Sequence, residues 1–348
     1  MKKIIFVGSI NKNEIAIGGQ ESKNQILTSI LEKNFLVKEF DTKNWIYKPL
    51  LLFNLFLSLL KPHDWIVLSM SSLSTYRLLK IINFLGLSHK TIYLVIGGWF
   101  PQLIKKYPDR VNLYNSINCI YCEGYKMINE LQKKGITNSD YLPNFKKFDL
   151  SILKRKSPVK NKDLKKFLYL SRIDPDKGSE IVLDAINHLN TNENYNIHVD
   201  FYGVIKPSYQ SHFLKKIKQI ANVNYKGVID MRDKKSYEFL IDENYLGFLF
   251  CTTYHGEGFP GALIDSMIMG LPVIATDWNL NSELIDNNKT GLIIEPNNII
   301  ALQNAIKTFV NNPIDIKIMK NQIIKKASLL HAENVLKKLE DHLNLKNF

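Results

Sequence analysis

Short apolar runs alternate with amphipathic stretches along the whole of this 348-residue chain, and that alternation admits few architectures. The runs are four to six residues long, too short for helices and sufficient for buried strands. Strands are expected near residues 4–7, 36–39, 65–69, 91–96 and 117–121 in the first half, and near 167–170, 197–202, 223–226, 246–251, 272–276 and 291–294 in the second. Strands separated by helical patterns predict parallel sheets covered by helices, an α/β chain. Each half opens on two lysines and an apolar strand, Lys2-Lys3 and Lys165-Lys166, which predicts two similar domains. Polar, poorly periodic residues 153–162 between them read as a hinge linker.

Composition narrows the class. Apolar residues make up 45% of the chain, enough for two full cores. The longest apolar stretch, residues 50–60, is interrupted by Asn54 and Ser58 and falls short of a membrane span. The N-terminal run after Lys2-Lys3 reads as a first buried strand, not as a signal peptide. Three cysteines give no disulfide framework, and Cys119-Ile120-Tyr121-Cys122 lies in a predicted strand, where residues three apart face opposite sides. Residues 1–166 carry 27 Lys/Arg against 12 Asp/Glu, and residues 167–348 carry 19 against 21. A basic first half suits anionic lipid headgroups or a diphosphate-linked substrate. Nucleic acid is not expected as a partner, for no stacking motif or zinc finger accompanies the charge.

The densest chemistry lies at residues 257–272, Glu-Gly-Phe-Pro-Gly-Ala-Leu-Ile-Asp-Ser-Met-Ile-Met-Gly-Leu-Pro. It leaves a buried strand, turns through Gly256, Gly258 and Gly261, and enters an apolar helix stopping at Gly270. Backbone N–H groups of Gly258, Phe259, Gly261 and Ala262 at such a helix start are an anion site, with Pro260, which has no N–H to offer, expected in the first helical turn. Glu257 and Asp265, eight residues apart, would stand on the order of 12 Å from each other along an intervening helix. That span suits the two ends of a sugar nucleotide.

These residues resemble the signature of retaining glycosyltransferase family 4, a GT-B family (glycosyl transferases group 1) that includes bacterial capsular and exopolysaccharide enzymes. In it two acids flank seven residues before a Gly-x-Pro-Val-Ile-Ala strand, here Gly270 to Ala275, with Asp265 where Glu is usual. Residues 167–178, Phe-Leu-Tyr-Leu-Ser-Arg-Ile-Asp-Pro-Asp-Lys-Gly, resemble its second motif, with Ser171 where Gly is commonest. The resemblance implies a GT-B fold of two Rossmann-like domains facing across a cleft: 1–155 for the acceptor, 156–327 for the nucleotide sugar, and 328–348 crossing back to the first. Arg172 and Lys177 are then the diphosphate clamp, Glu257 the partner of the donor sugar and Asp265 that of the ribose. Those three, Glu257, Arg172 and Lys177, are the expected catalytic residues.

Further implied donor residues are Gly18-Gly19 after the first strand, which read otherwise as a plain turn, and Val228 beside the base. Trp99 and Phe100 are candidates for an acceptor platform, or else core packing, and follow Gly97-Gly98 where many relatives carry a His. His255 could approach the donor or else hydrogen-bond the backbone of its tight turn, and Glu283 and Thr290-Gly291 also fit the pattern. No metal and no cofactor are expected; Asp174-Pro175-Asp176 imitates an Asp-x-Asp metal site but lies in a turn that supplies its own cations. The implied function is metal-independent, retaining transfer from a nucleotide-diphosphate sugar, a UDP-sugar, to a lipid-linked oligosaccharide or glycan. The setting would be bacterial surface polysaccharide synthesis, in the cytoplasm or peripheral on the inner membrane. Residues 45–60 read either as an amphipathic helix on that membrane or as a buried helix. The rivals are a non-catalytic GT-B subunit and a nucleotide-sugar epimerase.

Overall fold

The computed structural model describes residues 1–11, 19–155 and 165–345. They form two compact units. One comprises Met1–Lys147, Gly256–Phe259 and Leu330–Phe348; the other comprises Phe148–His255 and Pro260–Leu329.

The first unit alternates β1 (Lys3–Gly8), α1 (Gly19–Leu31), β2 (Leu36–Asp41), α2 (Pro49–Leu59), β3 (Trp65–Ser69) and α3 (Ser72–Phe84). It continues through β4 (Thr91–Leu94), α4 (Phe100–Lys106), α5 (Val111–Asn115), β5 (Cys119–Cys122), α6 (Tyr125–Gln132) and β6 (Ser139–Tyr141). The second contains β7 (Lys166–Leu170), α7 (Ser179–Asn192), β8 (His198–Tyr202), α8 (Gln210–Ile217), β9 (Val223–Tyr225), α9 (Lys234–Asp242) and β10 (Gly247–Phe250). It ends with α10 (Gly261–Ile268), β11 (Val273–Thr276), α11 (Asn281–Leu284), β12 (Gly291–Ile294), α12 (Ile299–Asn311) and α13 (Pro313–Leu329). The last helix, α14 (Ala332–Asn344), belongs to the first unit.

Each unit is built on one six-stranded sheet, ordered β2-β1-β3-β4-β5-β6 and β12-β11-β10-β7-β8-β9, with the strands paired in parallel. These are Rossmann-like sheets whose central strands, such as β3, β7 and β10, are buried on both faces, which is why those strands read as continuous apolar runs. In the first unit one face carries α2, α3 and α6 through Leu55, Leu79 and Leu131, and the other carries α1 and α14 through Leu31 and Leu336.

Cys119 and Cys122 belong to these opposite layers. Burial pushes the Cys119 thiol up to about 12, Cys251 likewise, and Cys122 further. All three thiols are therefore expected to resist N-ethylmaleimide at pH 7 in the folded protein and to react together once it is unfolded. Fast labelling of the native chain, counted by mass spectrometry, would contradict this.

The passage from one unit to the other comes at Lys147 and Phe148, eight residues before the boundary read from the sequence. Leu150–Lys154 form a 3-10 turn joined to α9 by Asp149–Lys234 and Arg155–Asp242 ion pairs, each 2.6 Å. The rest of the supposed linker, from residue 156, lies outside the described residues. Strand β6 went unread because it is a three-residue, half-exposed edge strand of Ser, Asp and Tyr.

Candidate functional site

In the second sheet the chain leaves β7 toward β8 on one side and returns later to β10 on the other, so the topological switch point lies between β7 and β10. Open parallel sheets bind ligands outside the carboxyl ends of the strands at such a point. Both sequence motifs start there, residues 171–178 after β7 and residues 251–255 after β10.

The two loops are tied together by backbone. Thr253 N–H donates to the Asp176 carbonyl at 2.8 Å, and Thr252 Oγ1 donates to the same oxygen at 3.3 Å. Gly178 makes the approach close: its φ is +82°, and a Cβ there would lie 2.2 Å from the Cys251 carbonyl oxygen. Asp174 is fully buried beneath the turn and organises its cations. Its Oδ2 lies 3.0 Å from Arg172 Nη2 and 3.3 Å from Lys206 Nζ as ion pairs off the hydrogen-bond axis, while Oδ1 accepts from Asp176 N–H at 3.1 Å. This assigns Asp174 a structural task. Among the described residues no group of three His, Cys, Asp or Glu side chains could hold a metal.

Arg172 and Lys177 converge on one aromatic ring, with Arg172 Cζ 5.5 Å and Lys177 Nζ 4.7 Å from the centroid of Tyr254. Arg172 remains about half exposed. Tyr254 is held in turn by Trp278, whose indole N–H donates to its carbonyl at 2.9 Å and whose ring lies 5.0 Å from that of His255. The result is two cations at the carboxyl edge of the sheet, the arrangement a diphosphate requires.

Helix α10 starts at Gly261. Pro260 caps it with an extended ψ of 123° and is not in the first turn as expected. Only the Gly261 and Ala262 amides open the helix, for Leu263 N–H already returns to the Pro260 carbonyl. The segment between Glu257 and Asp265 is thus helical only in its second part, and a helical spacing does not describe their separation. Asp265 is buried at 4% exposure, where its Oδ1 accepts from the Tyr237 hydroxyl at 2.5 Å. Burial first, then the adjacent carboxylate, pushes the Tyr237 phenol well above the ordinary tyrosine range, so it stays a donor. Tyr237→Phe removes that donor from a buried carboxylate and is expected to cost about 1–3 kcal/mol in urea unfolding. An unchanged midpoint would contradict the assignment. Val228 leaves the carboxyl end of β9, 67% exposed.

Glu257 lies in Gly256–Phe259, the segment that counts with the first unit. There Gly98 N–H donates to the Gly256 carbonyl at 3.2 Å, and Asn144 Nδ2 donates to the Phe259 carbonyl at 2.9 Å. Phe259 N–H donates to Glu123 Oε2 at 3.1 Å and is therefore not an anion donor as expected. Glu123 follows β5 directly and is paired at 2.7 Å with Lys23 of α1, both side chains nearly fully buried. A Cβ on Gly258 would come within 2.9 Å of the Gly97 Cα and 2.5 Å of Glu123 Oε2, and the fixed backbone at Gly97 requires glycine there. Trp99 is 51% exposed, whereas Phe100 is fully buried with its ring against Tyr93 and Tyr114. Phe100 is core, because α4 begins at this residue and turns its ring inward. Gly19 opens α1; Gly18 lies outside the described residues.

Sequence reading missed Lys206, Tyr254, Tyr237 and the Lys23–Glu123 pair. The only available signals were Tyr254 inside the loop after β10 and a charged Glu123 ending an apolar strand.

Two Rossmann-like units, the second with a basic turn at its strand switch point, define an α/β protein of the GT-B kind. Residues 151–329, more than half of the chain, match glycosyl transferases group 1, and the chain belongs to that family. HepE of Anabaena, solved with UDP, superposes with a TM-score of 0.76 at 15% identity over 99% of both chains. Its UDP-glucose complex gives 0.74 at 16% identity, again over 99% of both. Sucrose-phosphate synthase of Thermosynechococcus elongatus gives 0.76 at 13% identity over 98% of both. An uncharacterized glycosyltransferase of Haemophilus influenzae is 24% identical over 140 residues, 37% of this chain and 39% of that protein's length.

Proposed function

We propose that this protein transfers a sugar from a nucleotide-diphosphate sugar, a UDP-sugar, to a lipid-linked oligosaccharide or glycan. The transfer proceeds with retention and without metal, in bacterial surface polysaccharide synthesis at the cytoplasmic face of the membrane. The observation that carries the reading is the Arg172–Tyr254–Lys177 cluster, anchored on buried Asp174 at the β7–β10 switch point. The HepE complexes with UDP and UDP-glucose support the choice of nucleotide.

As the bond between the anomeric carbon and the diphosphate breaks, charge grows on the leaving oxygens. Arg172, Lys177 and the Gly261 and Ala262 amides supply preorganised donors for that charge. The acceptor oxygen forms the new bond from the leaving-group side, and its proton passes to a departing phosphate oxygen, so no protein nucleophile is needed. Glu257 accepts hydrogen bonds from the donor sugar, Asp265 is the ribose partner, Val228 borders the base, and Trp99 offers a stacking face to the acceptor.

The test is nucleoside-diphosphate release from UDP-, GDP-, ADP- and TDP-sugars with a polyprenyl-diphosphate-linked acceptor in EDTA, with the product anomer assigned by NMR. One donor is expected to turn over with its anomeric configuration kept. Inversion, or activity that EDTA abolishes, would overturn the mechanism; donor binding without transfer would favour a non-catalytic subunit.

A further inference from the structure

We infer that α2, with the neighbouring α3 face, is a docking surface for an anionic lipid bilayer. Helix α2 buries Leu55 and Leu59 against its sheet. At 3.6 residues per turn the diametrically opposite stripe is Leu50, Phe53, Leu57 and Leu60. A surface helix ordinarily turns polar residues outward. This one turns out side chains that are 70%, 57%, 39% and 57% exposed. On α3, which packs into the same layer, Ile81 and Phe84 are exposed at 45% and 88%. Exposed apolar side chains gathered on one helix face mark an interaction site.

Charge identifies the occupant. Residues 42–108, which span both helices, hold eight Lys/Arg and a single acid, Asp64. Asp64 already accepts from the Lys3 amide at 2.7 Å. Lys48 and Lys61 flank α2, and Arg77 and Lys80 project from α3, all exposed. A partner must then be apolar and negative together, which an anionic bilayer is at its headgroup boundary. The helix lies on the surface and does not cross, for α2 has 11 residues and no helix among the described residues is long and apolar enough to span. Parallel strand order places the start of α2 after the carboxyl end of β2, the edge of the sheet from which Trp99 and Glu123 also emerge. A lipid-carried acceptor would thus arrive beside that edge; only this last step rests on the proposed transferase function.

The experiment is co-sedimentation of the full chain with vesicles of phosphatidylcholine alone or mixed 7:3 with phosphatidylglycerol, without any nucleotide sugar. The protein is expected to bind the mixed vesicles at least about tenfold more tightly, with the difference shrinking at high salt. Phe53→Ser/Leu57→Ser, which alters only outward side chains, is expected to lose binding by about tenfold with an unchanged circular dichroism spectrum. Wild type left in the supernatant, or equal binding by the variant, would overturn the inference. A dimer in sedimentation velocity that the variant dissolves would also overturn it, by placing a second copy on this face. Vesicle binding with no sugar transfer would retain the inference and reject the transferase reading.

Discussion

Arg172→Ala is expected to lower kcat/KM for the nucleotide sugar by about 10²–10³-fold, the usual cost of removing one preorganised donor to transition-state charge. The fold should survive the change. Arg172 is half exposed, and Lys206 remains 3.3 Å from the Asp174 carboxylate after the guanidinium is gone. Lys177→Ala is expected to act in the same direction, since both cations border Tyr254. Arg172→Lys is not a rescue, because a point charge does not reproduce the planar fork that meets phosphate oxygens. Steady-state kinetics with circular dichroism as a control decide the matter. A loss below threefold in either alanine variant would show that the cluster is surface decoration.

The largest stability effect is expected in the first unit. Glu123→Ala leaves Lys23 buried without its partner and removes the acceptor for Phe259 N–H. Breaking a buried ion pair by deleting one member costs about 3–5 kcal/mol. Lys23→Met/Glu123→Gln removes both charges and keeps an acceptor oxygen in place, so it is expected to recover most of that loss. Urea unfolding of the three proteins measures it. Glu123→Ala within about 1 kcal/mol of wild type would show that the pair contributes specificity of packing at most.

The sheets were legible because central parallel strands buried on both faces, such as β3, β7 and β10, are written as apolar runs. Each of the eleven expected strands overlaps an observed one, some running one or two residues past its end; β6, three residues long, polar and at an edge, left no such mark. The switch-point turn was legible as Arg172 to Gly178, since a local loop keeps its residues adjacent in sequence. Asp174 was visible as an acid, but its role depends on burial and on Lys206, which arrives from a different loop. The Lys23–Glu123 pair joins positions 100 residues apart, and no periodicity reports such a contact. Phe100 stayed ambiguous because an aromatic beside Trp99 looks the same whether it stacks on a ligand or fills the core, and burial decides for the core. Pro260 misled by one position, for a proline before a helix and one inside its first turn share the same φ.

Nucleoside diphosphate is expected to bind the Arg172–Lys177 turn of the second unit. Isothermal calorimetry of wild type and Arg172→Ala/Lys177→Ala against UDP, GDP, ADP and TDP, without added metal, tests it most directly. Saturable binding of one nucleotide, UDP, that weakens by about 100-fold or more in the double variant is the expected result. Equal binding by both proteins, or no binding of any nucleotide by wild type, would contradict it.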